Sequence, residues 1–225
     1  MHYKNITISY GERTILRDIS IIIEPGEFVF LIGKSWSWKT SFIRSMLWAK
    51  KLKSWNIYDD KGIDIALLSP KDLLKYRRGL GTIFQDFKLL PRKTVRENVA
   101  FAMEVCGYSA YEITRRVPEV LAKVWLLAKI ETFVETLSGW EIQRTCIARA
   151  LIHDPRIIIG DEPTGNLDRT NAMEVMHLLE ELNQSGKTII MATHDEMIVN
   201  TMKKRVIAFE NGRVVSDTKN WTYCL

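Results

Sequence analysis

The sequence predicts an α/β protein, an open sheet of strands alternating with helices and interrupted part-way by a mainly helical segment. Three observations carry this. Phe28-Val29-Phe30-Leu31-Ile32 is wholly apolar, as befits a strand buried on both faces of a parallel sheet. It runs directly into 33-GKSWSWKTS-41, after which Phe42, Ile43, Met46 and Leu47 keep helical spacing. The second half then resumes the alternation, with apolar runs at Arg156–Gly160 and Thr188–Ala192.

In chain order, Ile6 to Tyr10 alternates as a strand does, Gly11 turns the chain, and Ile15 to Glu24 is β-rich until Pro25-Gly26 breaks it. Ser69-Pro70 starts a short helix, and Gly81 to Phe84 is a short strand. Thr94–Val105 and Tyr111–Leu127 read as two further helices, the second strained by Pro118. Helices follow at Glu141–His153 and Asn171–Asn183, and a β pair around Val206 to Ser216 closes the chain. The 225 residues fit one domain, 1–225, with a helical lobe inserted at about 90–150.

Composition narrows the function classes. With 46% apolar and 26% charged residues the chain is an ordinary globular protein with a sizeable core. Its three cysteines, Cys106, Cys146 and Cys224, are odd in number and form no CxxC pair, which argues against a disulfide frame or a zinc site. The apolar runs fall far short of the roughly 18 residues a spanning helix needs. The net charge of +5 is spread through clusters such as Arg77-Arg78, Arg115-Arg116 and Lys203-Lys204-Arg205, mostly solvated helix faces, and decides nothing alone.

The chemistry-bearing residues lie at the predicted strand ends. A phosphate loop holds its anion with converging backbone N–H groups at a helix N-terminus, in the pattern GxxxxGK[ST]. Gly33, Lys39 and Thr40 match it in register, but Trp38 replaces the second glycine. Lys39 would reach terminal phosphates and Thr40 would ligate Mg2+; without more, a plain strand-to-helix turn would explain the stretch equally well. Yet Ile157-Ile158-Ile159-Gly160 ends in Asp161-Glu162, the first acid suited to Mg2+ and the second to an attacking water. His194 follows another apolar strand, where it could sense a γ-phosphate, and Gln85 follows the short one, within reach of metal or water. Each alone has a structural explanation. In this order, at strand ends where α/β ligands bind, they point to a nucleotide site.

With those residues in view, the chain resembles the ATP-binding subunits of ABC systems over essentially its whole length. The resemblance rests on Gly33–Ser41, on 84-FQDFKLLPRKTVRENVAFAMEV-105, 137-LSGWEIQR-144 and 147-IARAL-151, and on 157-IIIGDEPTGNLD-168 and 191-MATHD-195. Within that family it looks most like the FtsE branch of cell-division subunits, beside the LolD- and MacB-type transporter ATPases. The resemblance implies a P-loop NTPase fold of the ABC nucleotide-binding type, a mixed β-sheet core with an inserted helical lobe. It implies that Tyr10 stacks on adenine and that Gly33, Ser35, Ser37, Lys39, Thr40 and Ser41 hold the phosphates. Thr40, Gln85 and Asp161 would serve Mg2+, Glu162 would be the general base, and His194 the γ-phosphate switch. Ser138 and Gly139 would reach a second subunit's ATP in a head-to-tail homodimer, with Asp168 across the seam. The lobe and the glutamine loop would grip a membrane permease subunit, FtsX-like in the nearest case, keeping the protein cytoplasmic and peripheral on the inner membrane face. No direct nucleic-acid partner is expected: P-loop DNA-repair relatives carry long coiled-coil insertions for which 225 residues leave no room.

The chain departs from that family at glycines. Trp36, Trp38 and Trp140 stand where backbone should touch phosphate, Trp55 and Trp125 where relatives usually carry glycine, and Ile142 replaces a usual glutamine. Glycine reaches positive φ without a penalty of about 1–2 kcal/mol, and it lets backbone approach an anion. An indole at Trp38 would compete with the phosphates for space, unless it points outward and packs on the lobe. The expectation is a folded chain that binds and turns over ATP poorly, at the limit a docking subunit without catalysis. One substitution of tryptophan for glycine explains all five sites. UGA is read as glycine in some bacterial lineages and as tryptophan in others, so translation under the wrong code is the hypothesis. Restoring five glycines to the 12 present brings their share near the usual 7 per cent or so.

Overall fold

The computed structural model describes residues 1–10, 12–33, 36–47, 57–59 and 62–219, less the side chains of Tyr10, Trp36, Ser37, Thr40 and Ala66. Gly11, Ser35, Trp55 and Cys224, all read above, lie outside the described residues.

Two sheets organise the chain. Strands β1 (His2–Tyr10), β2 (Arg13–Ile22) and β4 (Ile57–Tyr58) form an antiparallel sheet in the order β2-β1-β4. The larger sheet contains β3 (Phe28–Ile32), β5 (Leu80–Ile83), β6 (Ile157–Asp161), β7 (Thr188–Ala192), β8 (Arg205–Glu210) and β9 (Arg213–Thr218), in the order β5-β6-β7-β3-β8-β9. Every neighbouring pair in it is parallel except β8–β9, so the core sheet is mixed. All residues of β3 and β7 are buried, as wholly apolar runs require. The order places the ends of β5, β6, β7 and β3 side by side, and with them the segments that carry Gln85, Asp161, Glu162, His194 and Lys39.

The helices start where their caps dictate. Ser69 caps α2 (Pro70–Arg78), with proline in the first turn. Thr94 and Ser109 open α3 (Val95–Glu104) and α4 (Ala110–Lys123) with reciprocal capping boxes to Glu97 and Glu112. The remaining helices are α1 (Trp36–Leu47), α5 (Gly139–Leu151), α6 (Arg169–Gln184) and α7 (Glu196–Met202), the last not anticipated. Core residues of α3, α4, α5 and α6 share one apolar cluster with Phe28, Phe30 and Ile32 of β3. A second cluster joins the antiparallel sheet to α1 and to the other face of β3.

Two expectations need correction. The helix expected to run to Leu127 ends at Lys123, because Trp125 turns left-handed at φ 55°. Its N–H donates to Ala122 O at 3.1 Å and that of Leu126 to Leu121 O at 2.8 Å, the paired bonds of a Schellman stop. Pro118 is accommodated inside the helix. And Trp36 to Ser41, read as loop, already belong to α1: the stretch holds no glycine after Gly33 to favour any other conformation. Among the described residues no helix is long and apolar enough to cross a membrane.

Candidate active site

Lys39 is drawn into the interior by its place in α1 and meets a carboxylate there. Its Nζ lies 2.9 Å from Glu162 Oε1, and both side chains are almost fully buried. Glu162 follows β6 directly. Its N–H still donates to Ala192 O of β7 at 2.9 Å, while its carbonyl accepts from Gly165 N in the turn beyond. The next residue, Pro163, disfavours right-handed helix for Glu162, which sits instead at φ 49°. Such a left-handed conformation on a non-glycine residue is strain held by its surroundings, here at the end of the carboxylate-bearing strand. The second oxygen, Oε2, lies 2.9 Å from Nδ1 of His194, which follows β7 and is largely exposed. That contact lacks the alignment of a hydrogen bond. Lys39, Glu162 and His194 thus meet across the adjacent ends of β3, β6 and β7.

Beside them Gln85 and Asp161 line one cavity of about 530 Å3, together with Ile43, Arg44, Leu47 and Phe84. Two oxygen donors on one cavity wall suit a hard cation such as Mg2+, which takes few protein ligands and completes its shell with water and phosphate oxygens. Ser41 is buried in α1. Ser138 and Gly139 sit elsewhere, exposed at the start of α5. Glu141 Oε2 accepts from both the N–H and the hydroxyl of Ser138, at 2.9 and 2.8 Å. Burial pushes the Glu141 carboxyl up, but those two hydrogen bonds and Lys129 outweigh it and hold it below the ordinary range. Asp168 caps α6 through Asn171 N. Tyr10 ends β1, while the side chains of Ser37 and Thr40 lie outside the described residues.

Trp38 is not where an outward, lobe-packed orientation would leave it, whereas Trp125 is exposed and packs, like Trp140, on Arg144 of the lobe. Trp38 is only 2% exposed and its ring stacks on Phe209 of β8 at 4.3 Å. It also lies against Gly33, where an added Cβ would stand 2.3 Å from the indole and 2.4 Å from Phe209 O. Its Nε1 is buried without a hydrogen-bond partner, a cost of about 1–3 kcal/mol. Trp125 and Trp140 both stack on Arg144, their ring centroids 4.7 and 4.5 Å from its guanidinium carbon. That guanidinium also donates to Glu174 at 2.6 Å.

Sequence reasoning missed the residues that hold the Gln85 turn. Arg149 of α5 donates to the carbonyls of Phe87 and Lys88, and Asn166 donates to that of Gln85. Both lie inside motifs already read, but carbonyl partners leave no mark in sequence.

Comparison with known proteins is decisive here. The ABC transporter family model matches residues 16–165. The chain belongs to that family. Within it the chain is FtsE-like. The cell division ATP-binding protein FtsE of Streptococcus pneumoniae (strain D39) is 48% identical over 210 residues, covering 93% of this chain and 91% of that protein. FtsE of Bacillus subtilis is 48% identical over 208 residues, 92% and 91% of the two chains. A methionine import ATP-binding protein, MetN of Carboxydothermus hydrogenoformans, is 40% identical, and this chain spans 64% of its length. Among solved structures, the dimeric ATP-binding cassette MJ0796 bound to ADP and Pi matches with a TM-score of 0.86 and 32% identity over 99% of both chains. The expected fold is therefore the one present.

Proposed function

We propose that this polypeptide is the ATPase of a cell-division complex, hydrolysing ATP to drive a membrane permease subunit of FtsX type. The observation that carries this is the convergence of Lys39, Glu162 and His194 at three adjacent strand ends, with Gln85 and Asp161 on the neighbouring cavity. Lys39 would neutralise the terminal phosphates, with backbone from Gly33 through Ser35 and Ser37 and the hydroxyls of Thr40 and Ser41 completing the cradle. Asp161, Gln85 and Thr40 would hold Mg2+, whose contribution is charge neutralisation on the phosphate oxygens. Glu162 would take the proton of the attacking water while His194 steadies the γ-phosphate side, and Tyr10 would stack on the base. Ser138 and Gly139, exposed on α5, suit a head-to-tail homodimer in which each reaches the other subunit's ATP. The inserted lobe, about 90–150, with the glutamine loop would face the permease and hold the protein at the inner face of the membrane.

In the polypeptide as written this activity is impaired. The Trp38 ring wedges between Gly33 and Phe209, and Lys39 is engaged by Glu162, so a triphosphate must shift a packed indole and part a buried ion pair. The same two features favour the second reading, a docking subunit that contributes contacts without turnover.

Phosphate release separates the two. Changing Trp36, Trp38 and Trp140 to glycine is expected to raise Mg-ATP turnover at least tenfold, and adding Glu162→Gln to that protein should remove it. Measurable and equal turnover before and after the three changes would overturn the impairment. Absence of turnover in both, with intact folding, would leave the docking reading.

A further inference from the structure

Gln85 sits at the start of a turn that its own sequence does not favour. Phe87 and Lys88 are consecutive left-handed residues, at φ 60° and 52°, and neither is glycine. Each such residue is disfavoured by sterics. Within the turn, Phe87 N donates to Phe84 O at 3.2 Å and Lys88 N to Asp86 O at 2.6 Å. These local bonds leave the carbonyls of Phe87 and Lys88 directed away from the strand, to be met by another element.

That element is α5. The two arms of the Arg149 guanidinium donate to Lys88 O at 2.5 Å and to Phe87 O at 2.6 Å. The Cys146 thiol, one helical turn earlier, also donates to Phe87 O, at 3.3 Å. A planar fork with two parallel donors matches two successive carbonyls as a lysine ammonium cannot. On the other side of the turn Asn166, in the loop after Glu162, donates to Gln85 O at 3.1 Å. The strained turn is therefore clamped between the helix that presents Ser138 and Gly139 and the loop that follows the catalytic carboxylate. Beyond the clamp, Gln85 lines the same cavity as Asp161.

We infer that Arg149 is the positioning residue of the metal site: its guanidinium holds the Phe87–Lys88 turn left-handed and thereby keeps Gln85 facing Asp161. The inference rests on the proposed assignment of Gln85 and Asp161 to Mg2+. Arg149 itself touches neither nucleotide nor metal in this scheme. Because Arg149 lies ten residues beyond Gly139 on one continuous helix, about 15 Å along its axis, movement of that helix on dimer closure would be transmitted to Gln85 in the same subunit.

The test uses the full chain with glycine at 36, 38 and 140, and compares Arg149→Ala, Arg149→Lys and the double variant Arg149→Ala with Lys88→Gly. Two quantities are read: amide hydrogen exchange along the chain, and binding of a slowly hydrolysed ATP analogue titrated with Mg2+. For Arg149→Ala, exchange at residues 85–90 should rise at least tenfold while the amides of α5 stay at parent values. The Mg2+ concentration at half effect should rise at least tenfold, since two charge-assisted hydrogen bonds are lost. Binding of the analogue without Mg2+ should not change. Lysine should recover part of the effect. Glycine at 88 should recover more, since it relieves the strain that the guanidinium otherwise offsets. The inference is overturned if Arg149→Ala leaves loop exchange at parent values, or if exchange rises equally throughout α5 and the core. If the parent binds no nucleotide at all, the ATPase reading fails, while the exchange profile still decides whether Arg149 holds the turn.

Discussion

Lys39 Nζ and Glu162 Oε1 stand 2.9 Å apart with solvent almost wholly excluded from both side chains. A buried ion pair contributes little net stability relative to an apolar pair, but removing one partner strands the other charge at a cost of about 3–5 kcal/mol. Lys39→Met is therefore expected to destabilise the nucleotide-free chain by about 3 kcal/mol in urea unfolding. Combining it with Glu162→Gln should recover most of that loss. Full cost in the double variant would mean that Lys39 acts through packing and not through its charge.

Trp125 occupies the left-handed stop of α4, the position that glycine fills without strain. Two substitutions isolate that strain from the loss of the ring's contact with Arg144. Trp125→Ala and Trp125→Gly both remove the indole, but only glycine removes the left-handed penalty. The glycine variant should be more stable than the alanine variant by about 1 kcal/mol, the reverse of their order inside a helix. Equal midpoints in urea would show that the turn relaxes once the indole is gone.

The two described thiols should separate cleanly. Burial pushes the Cys146 thiol up to about 12, against an opposing pull from Arg149, and Cys106 is half-buried. Because the folded value is raised, the thiol favours the folded state fully below its unfolded value near 9. That contribution is lost as pH rises from there towards 12. At pH 8 a thiol reagent should modify Cys106 in the folded protein and Cys146 only on unfolding, and Cys146→Ala should flatten the loss of stability above pH 9. Equal labelling rates for the two in the folded state would contradict the burial.

How far the sequence revealed this molecule depended on whether the signal was local. β3 and β7 lie where their apolar runs placed them, because a strand buried on both faces tolerates nothing else. Ser69-Pro70 announced α2 because a cap is side-chain chemistry, legible as letters. The end of α4 was not legible, since a tryptophan at the stop continues the helical pattern that glycine would have broken. The seven residues of α7 were too few to show a period. In the site, the carboxylates, Lys39 and His194 could be named as residue types at strand ends. That Lys39 would meet Glu162, and that Arg149 would seize two carbonyls 61 and 62 residues away in sequence, depends on tertiary placement that no spacing encodes.

The tryptophans themselves give the last prediction. If they had been selected to silence the site, they should be confined to the phosphate-facing positions. They are not. Trp125 is away from the phosphate loop, on a left-handed turn. Trp38 is pressed on Gly33 with its Nε1 buried and unpartnered, where a Trp shaped by selection usually finds an acceptor. These are the marks of a side chain placed where the backbone was made for none, and they share one cause if the gene's UGA codons specify glycine. Sequencing the gene should find TGA at codons 36, 38, 55, 125 and 140. Mass spectrometry of the protein from its native source should find glycine in the corresponding peptides. TGG at these codons would defeat the hypothesis and make the tryptophans the protein's own, with the buried Trp38 its natural state.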